Sequence, residues 1–214
     1  MSPPLRTPRS SSRLRRGRED VLAAATALFC ERGYDATSMS DIADHLGMAK
    51  ASVYHHVKSK SQLLHAATGP MRAALLSLLG AGAASGERSV HRLAGLLRGL
   101  VAVAEADPPG HALLWGTGSV TDEDDRDAVC RELVYWRLVE LLEQAIDEDD
   151  VRDDIAPRLA ARLLLGAVVG PNCPPEERSS LSPSAIDVLF EGLAPAGGAV
   201  THRPEGVIRE TRAA

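Results

Sequence analysis

From Ser38 to Lys60 the chain reads SMSDIADHLGMAKASVYHHVKSK, a helical pattern that stops at a glycine and restarts almost at once. Ser38 and Asp41 form a capping box, in which the hydroxyl accepts a free backbone N–H and the carboxylate reaches back to the cap. The helix they open is short, with Ile42 and Leu46 as its one apolar stripe, and Gly47 supplies the left-handed turn that other residues resist. A further helix is predicted over roughly Ala49 to His56. Two short helices meeting steeply over a turn of about three residues make a helix-turn-helix. Ala43 is small where the second helix crosses, and Ile42, Leu46, Met48 and Val53 face a shared core. Lys50, Ala51, Ser52, Tyr54 and His55 then point outward. Small residues at the start of such a helix let its backbone approach base edges, while Lys and His donate to purine acceptors or phosphates. On this spacing alone, an ordinary helical corner stays open as the alternative.

The same periodicity runs through the rest of the chain. A first helix is expected from about Arg18 to Arg32, with Val21, Ala25, Leu28 and Phe29 inward and Gly33 ending it. Ser59 and Gln62 repeat the capping-box pattern and begin a fourth helix with Leu63, Leu64 and Ala67 inward. Gly69-Pro70 is expected to kink or interrupt it. Further helices are predicted at about 88–106, 110–117, 123–148, 155–169 and 183–194. In the longest of these, Val129, Leu133, Trp136, Val139, Leu142 and Ile146 recur at steps of three or four. Breaks are expected at Asp107-Pro108-Pro109, at the acidic run DEDDVRDD and at GPNCPPEERSSLSP. With 44% apolar residues but only 3% aromatic, and no alternating runs, the chain reads as all-α.

Charge divides the chain in two. Residues 1–60 hold ten Lys/Arg against six Asp/Glu, a surplus of four, so the overall charge of −5 leaves −9 on the remainder. Six arginines and no acid fall within the first eighteen residues. A small basic end on an acidic body suits a polyanion at one end. Residues 1–17, rich in Pro, Ser and Arg, are expected to form a flexible arm, whether solvated or touching DNA, and residues 195–214 a frayed tail. No apolar run reaches the ~18 residues of a membrane span, and the N-terminus lacks the apolar core of a signal peptide. A soluble cytoplasmic protein is the expectation.

Some chemistries find no support. Cys30, Cys130 and Cys173 are odd in number and scattered, which speaks against a disulfide framework or zinc site. Adjacent helical residues point about 100° apart, so His55 and His56 do not readily share a metal ion. No nucleophile elbow, phosphate-binding glycine loop or HExxH is present, so neither an enzyme nor a cofactor is expected. A thiol-based redox regulator would need one of the cysteines as an exposed thiolate, and Cys130 lies among acids that disfavour it.

From Arg18 to Leu64 the sequence resembles the N-terminal domain of the tetracycline-repressor (TetR) family. AAATALFCERGYDATSMSDIADHLGMAKASVYHHVKSKSQLL follows that family's order LF…GY…T(S/T)…IA…G…Y.HF..K..LL. The resemblance implies a three-helix DNA-binding domain at residues 18–64. Behind it, at residues 65–194, it implies a helical effector-binding and dimerisation domain in a homodimer that reads an inverted repeat of double-stranded DNA. By this likeness Lys50, Ala51 and Ser52 match base-facing positions, and Tyr54 and His55 match groove and phosphate contacts. Thr37, Ser38 and Lys60 match phosphate-contacting positions. Ala49 departs from a common serine cap, Ala51 from Gly or Ser, and Val57 from Phe. A division-control or nucleoid protein on the same scaffold, lacking a ligand, is the other reading.

The body offers a softer signal. His111, Trp115, Arg131, Tyr135 and Trp136 gather most of its aromatic and imidazole groups, as anchors of an apolar effector pocket would; the tryptophans read equally as core. Ala160, Leu163, Gly166 and Ala167, with Ile186, Leu189, Phe190 and Leu193, form small and apolar stripes expected at the dimer interface, or else in the monomer core.

Overall fold

The computed structural model describes residues 17–81, 86–116, 125–169 and 183–195, without the side chains of 169 and 183–187. The arm expected at 1–17 and the tail at 195–214 lie outside them except for Gly17 and Pro195, as do Cys173 and the GPNCPPEERSSLSP break up to its final proline. The described residues are all-helical: α1 Arg18–Arg32, α2 Met39–Leu46, α3 Lys50–His56, α4 Lys60–Ala81, α5 Ser89–Ala106, α6 Pro108–Gly116, α7 Arg126–Asp147, α8 Pro157–Val169 and α9 Pro183–Leu193. They divide into two units, one ending at Ala67 and the other beginning at Thr68.

In the first unit, local chemistry places each helix. The Asp20 carboxylate accepts from Gly17 N–H at 2.7 Å and caps α1. Gly33 ends α1 at φ 89°, its N–H bonded to Phe29 O. The Ser38–Asp41 box is complete, with Asp41 N to Ser38 Oγ at 3.2 Å and Ser38 N to Asp41 Oδ2 at 2.7 Å. Those bonds to Ser38, the side chain's first, hold the Asp41 carboxyl below its ordinary value. Gly47 closes α2 in the left-handed conformation at φ 60° and ψ 37°, where another residue would cost roughly 1–2 kcal/mol. Val21, Ala25, Leu28, Phe29, Ile42, Ala43, Leu46, Val53, Leu63 and Leu64 are buried. The second capping box differs from expectation. Ser59 Oγ accepts from Gln62 N–H, but the Gln62 side chain reaches one residue further back, to Lys58 N–H at 2.8 Å.

In the second unit α5 is the central helix, packed against α6, α7, α8 and α9. Its Leu93, Leu97 and Leu100 lie in one buried cluster with Met71 and Leu75 of α4, Val134, Leu138 and Leu142 of α7, and Ala161 and Leu164 of α8. Each buried Leu stabilises the fold by about 1.5–3 kcal/mol. The Asp107-Pro108-Pro109 break is a helix start: Asp107 Oδ1 accepts from Gly110 N–H at 3.0 Å, and the prolines occupy the first turn, where N–H groups lack partners anyway. A Cβ at Gly110 would collide with the Asp107 carboxylate. The acidic run at the end of α7 also has a packing role. Glu148 accepts from Ser89 N–H and Oγ–H, Arg88 pairs with Asp150, and the start of α5 is thereby fastened to the end of α7. The Ser89 N–H, followed by its hydroxyl, lowers the Glu148 pKa.

Two sequence expectations are revised here for identifiable reasons. Gly69-Pro70 does not interrupt α4, which is one helix through Pro70. A helix-interior proline costs about 3 kcal/mol or more, offset by what surrounds it: Met71 and Leu75 are buried, and Thr68 and Arg72 both donate to the buried Asp127 carboxylate of α7. The apolar stripe expected on α7 holds only in its C-terminal half, where Val139 and Leu142 are buried and Ile146 packs against the core. In the N-terminal half Val129, Leu133 and Trp136 are 59%, 46% and 48% exposed, while Cys130, Val134 and Leu138 are buried. That half carries two apolar stripes, one facing the core and one outward.

Candidate nucleic-acid interface

The outer face of α3 is built by the corner beneath it. Val53 is fully buried and Val57 nearly so, which fixes the rotation of the helix about its axis. Lys50, Ala51, Tyr54 and His55 are consequently exposed, and Ser52 and His56 are half-buried. Ala49 caps α3 without a side-chain hydrogen bond, and Ser52 N–H bonds Ala49 O at 2.8 Å. The face is small at its N-terminal end, aromatic and basic at the other, and free of acid. No Asp or Glu occurs anywhere between Asp44 and Glu87.

The residues expected to hold phosphates divide into two groups. Ser38 is exposed, and because its oxygen accepts from Asp41 N–H, its own proton remains to be donated. Thr37 differs from expectation. It is 1% exposed, and its hydroxyl donates to Gly33 O at 2.8 Å and lies 3.3 Å from Leu28 O, so it braces the α1–α2 turn from inside. Lys60 has a mixed position: its ammonium donates to Tyr34 O at 2.8 Å and sits 4.1 Å from the centre of the Tyr34 ring, leaving two of three donors. Tyr34 in turn packs edge-on against Phe29 at 5.2 Å. Tyr34 was missed as a positioning residue. Its signal was a tyrosine directly after the helix-ending Gly33, with the Lys60 cation on the next basic stretch.

The five residues expected to bind an effector do not converge. Buried His111 and half-buried Trp115 lie on α6, and Arg131 of α7 donates to Leu114 O at 2.7 Å beside them. The Trp115 indole N–H is buried and has no acceptor among the described residues. Tyr135 and Trp136 instead face α8. Their rings stack edge-on, Arg158 lies over Trp136, Arg162 lies over Tyr135, and the Tyr135 hydroxyl donates to Arg158 O. The dimer residues divide too. Ala160 and Leu193 are buried in the protomer's own core, and Leu189 and Phe190 pack against it half-buried, because α8 packs on α5 and α7 and α9 packs on α5. Leu163 and Gly166 are exposed and Ala167 is half-buried; the Ile186 side chain lies outside the described set. Cys30 and Cys130 are not disulfide-bonded. Burial raises the Cys130 pKa, which keeps it a thiol and disfavours redox sensing there.

With the corner and its outer face in view, the likeness to known proteins can be placed on it. Residues 21–67, which contain α1 to α3, match the family of bacterial regulatory proteins of the tetR type. Over this stretch the chain is similar to the TetR family. Among curated TetR relatives, the transcriptional repressor KstR2 of Mycolicibacterium smegmatis is 45% identical over 47 residues, 22% of this chain and 23% of that protein. The chain thus matches less than a quarter of that relative's length. Similarity to solved structures extends further. SCO3833, a TetR-family protein of Streptomyces coelicolor, superposes with a TM-score of 0.70 at 29% identity over 81% of this chain and 90% of its own. AibR, solved with isovaleryl coenzyme A and operator DNA, gives 0.63 at 25% identity, covering 83% and 97%. TetR-family proteins are regulators rather than enzymes, and no described helix is long and apolar enough to cross a membrane.

Proposed function

We propose that this chain is a sequence-specific DNA-binding transcriptional repressor, acting in the cytoplasm as a homodimer on an inverted-repeat operator and released by a small-molecule effector. Residues 18–64 are the DNA-reading domain and residues 65–194 the effector and dimerisation body. The outer face of α3 carries the reading: Lys50, Ala51, Tyr54 and His55 exposed on a rigidly seated helix, within a stretch that holds no acid from residue 45 to 86. Lys50 and Ala51 lead into the major groove with Ser52 beside them, Tyr54 and His55 reach its edge, and Ser38 and Lys60 flank it on phosphates. Two such helices read half-sites about 34 Å apart, which calls for a dimer. Exposed Leu159, Leu163 and Gly166 on α8 and Val188 on α9 offer it an apolar surface. AibR, similar in fold and solved with isovaleryl coenzyme A and operator DNA, supports the pairing of an operator with a small-molecule ligand. Release requires that the effector prefer the conformation unsuited to DNA by a few kcal/mol.

The test is selection of bound duplexes from a random pool, then titration of the selected duplex at two salt concentrations. The expected result is an enriched inverted repeat whose affinity falls steeply with salt as counterions are released. Lys50→Ala changes the ratio of specific to random binding. No enriched sequence, or an unchanged ratio in that variant, removes the reading.

A further inference from the structure

The second unit holds a cleft that none of the expected effector residues lines. It measures 270 Å³ and lies where the C-terminal turns of α4 meet the early turns of α5 and the middle of α7. Leu78, Leu79, Leu96 and Leu141 give it apolar walls, Arg92 and Gly95 line it from α5, and His91 and the carboxylate of Glu87 stand at the same end. Two features are unexplained by the protomer itself.

The first is the charge of Arg92. Its side chain has one described contact, a 3.2 Å hydrogen bond to the neutral Gln144 amide oxygen, and its Nε–H is buried without an acceptor. Glu148 feels the Arg92 field, yet its carboxylate is committed to Ser89. The other arginine on the cleft, Arg137, is paired with Glu140 at 2.6 Å. Arg92 is half-buried, and its buried Nε–H leaves a donor that an anion in the cleft would satisfy, since unsatisfied buried polar groups are rare.

The second is Gly95, one helical turn beyond Arg92 on the same face. Glycine inside a helix costs roughly 1 kcal/mol relative to alanine. At Gly99, one turn further, the space is filled, because a Cβ would overlap the Leu78 side-chain end. At Gly95 a Cβ would meet nothing within 4 Å. No neighbour demands the glycine; what it does is leave the cleft open beside the Arg92 guanidinium.

We propose that this cleft binds a small anionic amphiphile, with the anionic head on the Arg92 guanidinium and an unbranched apolar tail along Leu78, Leu79, Leu96 and Leu141. At about 30 Å³ per water-sized group, its volume suits a ligand of roughly ten non-hydrogen atoms. In taking this ligand to be the effector, the proposal rests on the repressor reading above; the binding itself does not.

Octanoate titrated calorimetrically into the full chain, with octanol as the uncharged control, tests it. Octanoate saturates the wild type, and octanol binds at least tenfold more weakly. Arg92→Gln weakens octanoate at least tenfold, and Gly95→Leu abolishes its binding while its melting temperature equals or exceeds that of the wild type, because leucine favours the helix. Failure of octanoate to saturate the folded wild type, or equal binding by wild type and both variants, overturns the proposal. Operator release is then read separately with the selected duplex. Octanoate that binds through Arg92 and Gly95 but leaves the operator complex intact upholds the cleft and refutes its role as effector site. Release that persists in Gly95→Leu places the effector elsewhere and overturns the assignment.

Discussion

The α2–α3 corner and the α5–α7 layer are both helix packings, yet they are specified over very different distances. In the corner, every decisive contact lies within a few residues of its partner: Ser38 with Asp41, Gly47 with the turn it closes, Val53 and Val57 under the face they orient. In the layer, the contacts that set the rotation of α7 come from across the chain, Thr68 and Arg72 reaching Asp127 and Arg92 reaching Gln144. Local rules therefore determine the first and only constrain the second. A short helix with one apolar stripe has one way to face inward, whereas a 22-residue helix with two has a choice that its partners make.

The largest expected effect tests whether long-range polar contacts really hold the second unit. Asp127 is buried and accepts from both Thr68 and Arg72. Removing one partner of a buried charge pair costs about 3–5 kcal/mol, more than the pair is worth against an apolar replacement. Asp127→Ala is expected to lower the urea midpoint accordingly, and adding Thr68→Val and Arg72→Met to recover most of the loss. A triple variant no more stable than the single would show that the cluster is not what limits α4 and α7.

A second comparison lies within α7 itself. Leu138 is buried and Leu133 largely exposed, five residues apart on one helix. Leu138→Ala is expected to cost about 2–5 kcal/mol, and Leu133→Ala to stay within about 0.5 kcal/mol for the protomer. Measuring both at several protein concentrations sharpens the test: a Leu133 effect that grows with concentration assigns the outer stripe to a subunit contact, and one that matches Leu138 at all concentrations restores the stripe expected from spacing.

The same contrast explains what was legible in the sequence. α1 to α3, the complete box at Ser38, the left-handed Gly47 and the exposed Lys50, Tyr54 and His55 were readable because caps, turns and a single stripe are encoded locally. Thr37 and Lys60 were placed correctly along the chain but their partners were not, since a hydroxyl that turns inward to Gly33 O and an ammonium that settles on Tyr34 depend on the fold of a neighbouring turn. In the body, helix positions were readable and helix rotations were not. His111, Trp115 and Arg131 gather at α6 while Tyr135 and Trp136 turn to α8, and residue type alone does not separate them. Arg92 and Gly95 carried no sequence signal, because an arginine on a helix is ordinarily solvated and a glycine's reason is seen only when its surroundings are known.

The smallest expected effect concerns how strictly local the corner is. If the α2 cap acts as a unit, Ser38→Ala removes the acceptor for Asp41 N–H and costs about 1 kcal/mol, and the pH dependence of α2 is set by Asp41. Its folded pKa is depressed, so its contribution is fully present above the ordinary carboxylate value and is lost as the pH falls through the lower folded value. The protection of the Ser38 amide, whose N–H donates to Asp41 Oδ2, relative to its intrinsic exchange rate is therefore expected to fall in that acid window before the rest of α2 opens. Asp41→Asn is expected to remove the acid step. Acid loosening that persisted in this variant would place the sensitivity outside the box, and the corner would then depend on more distant contacts, as the body does.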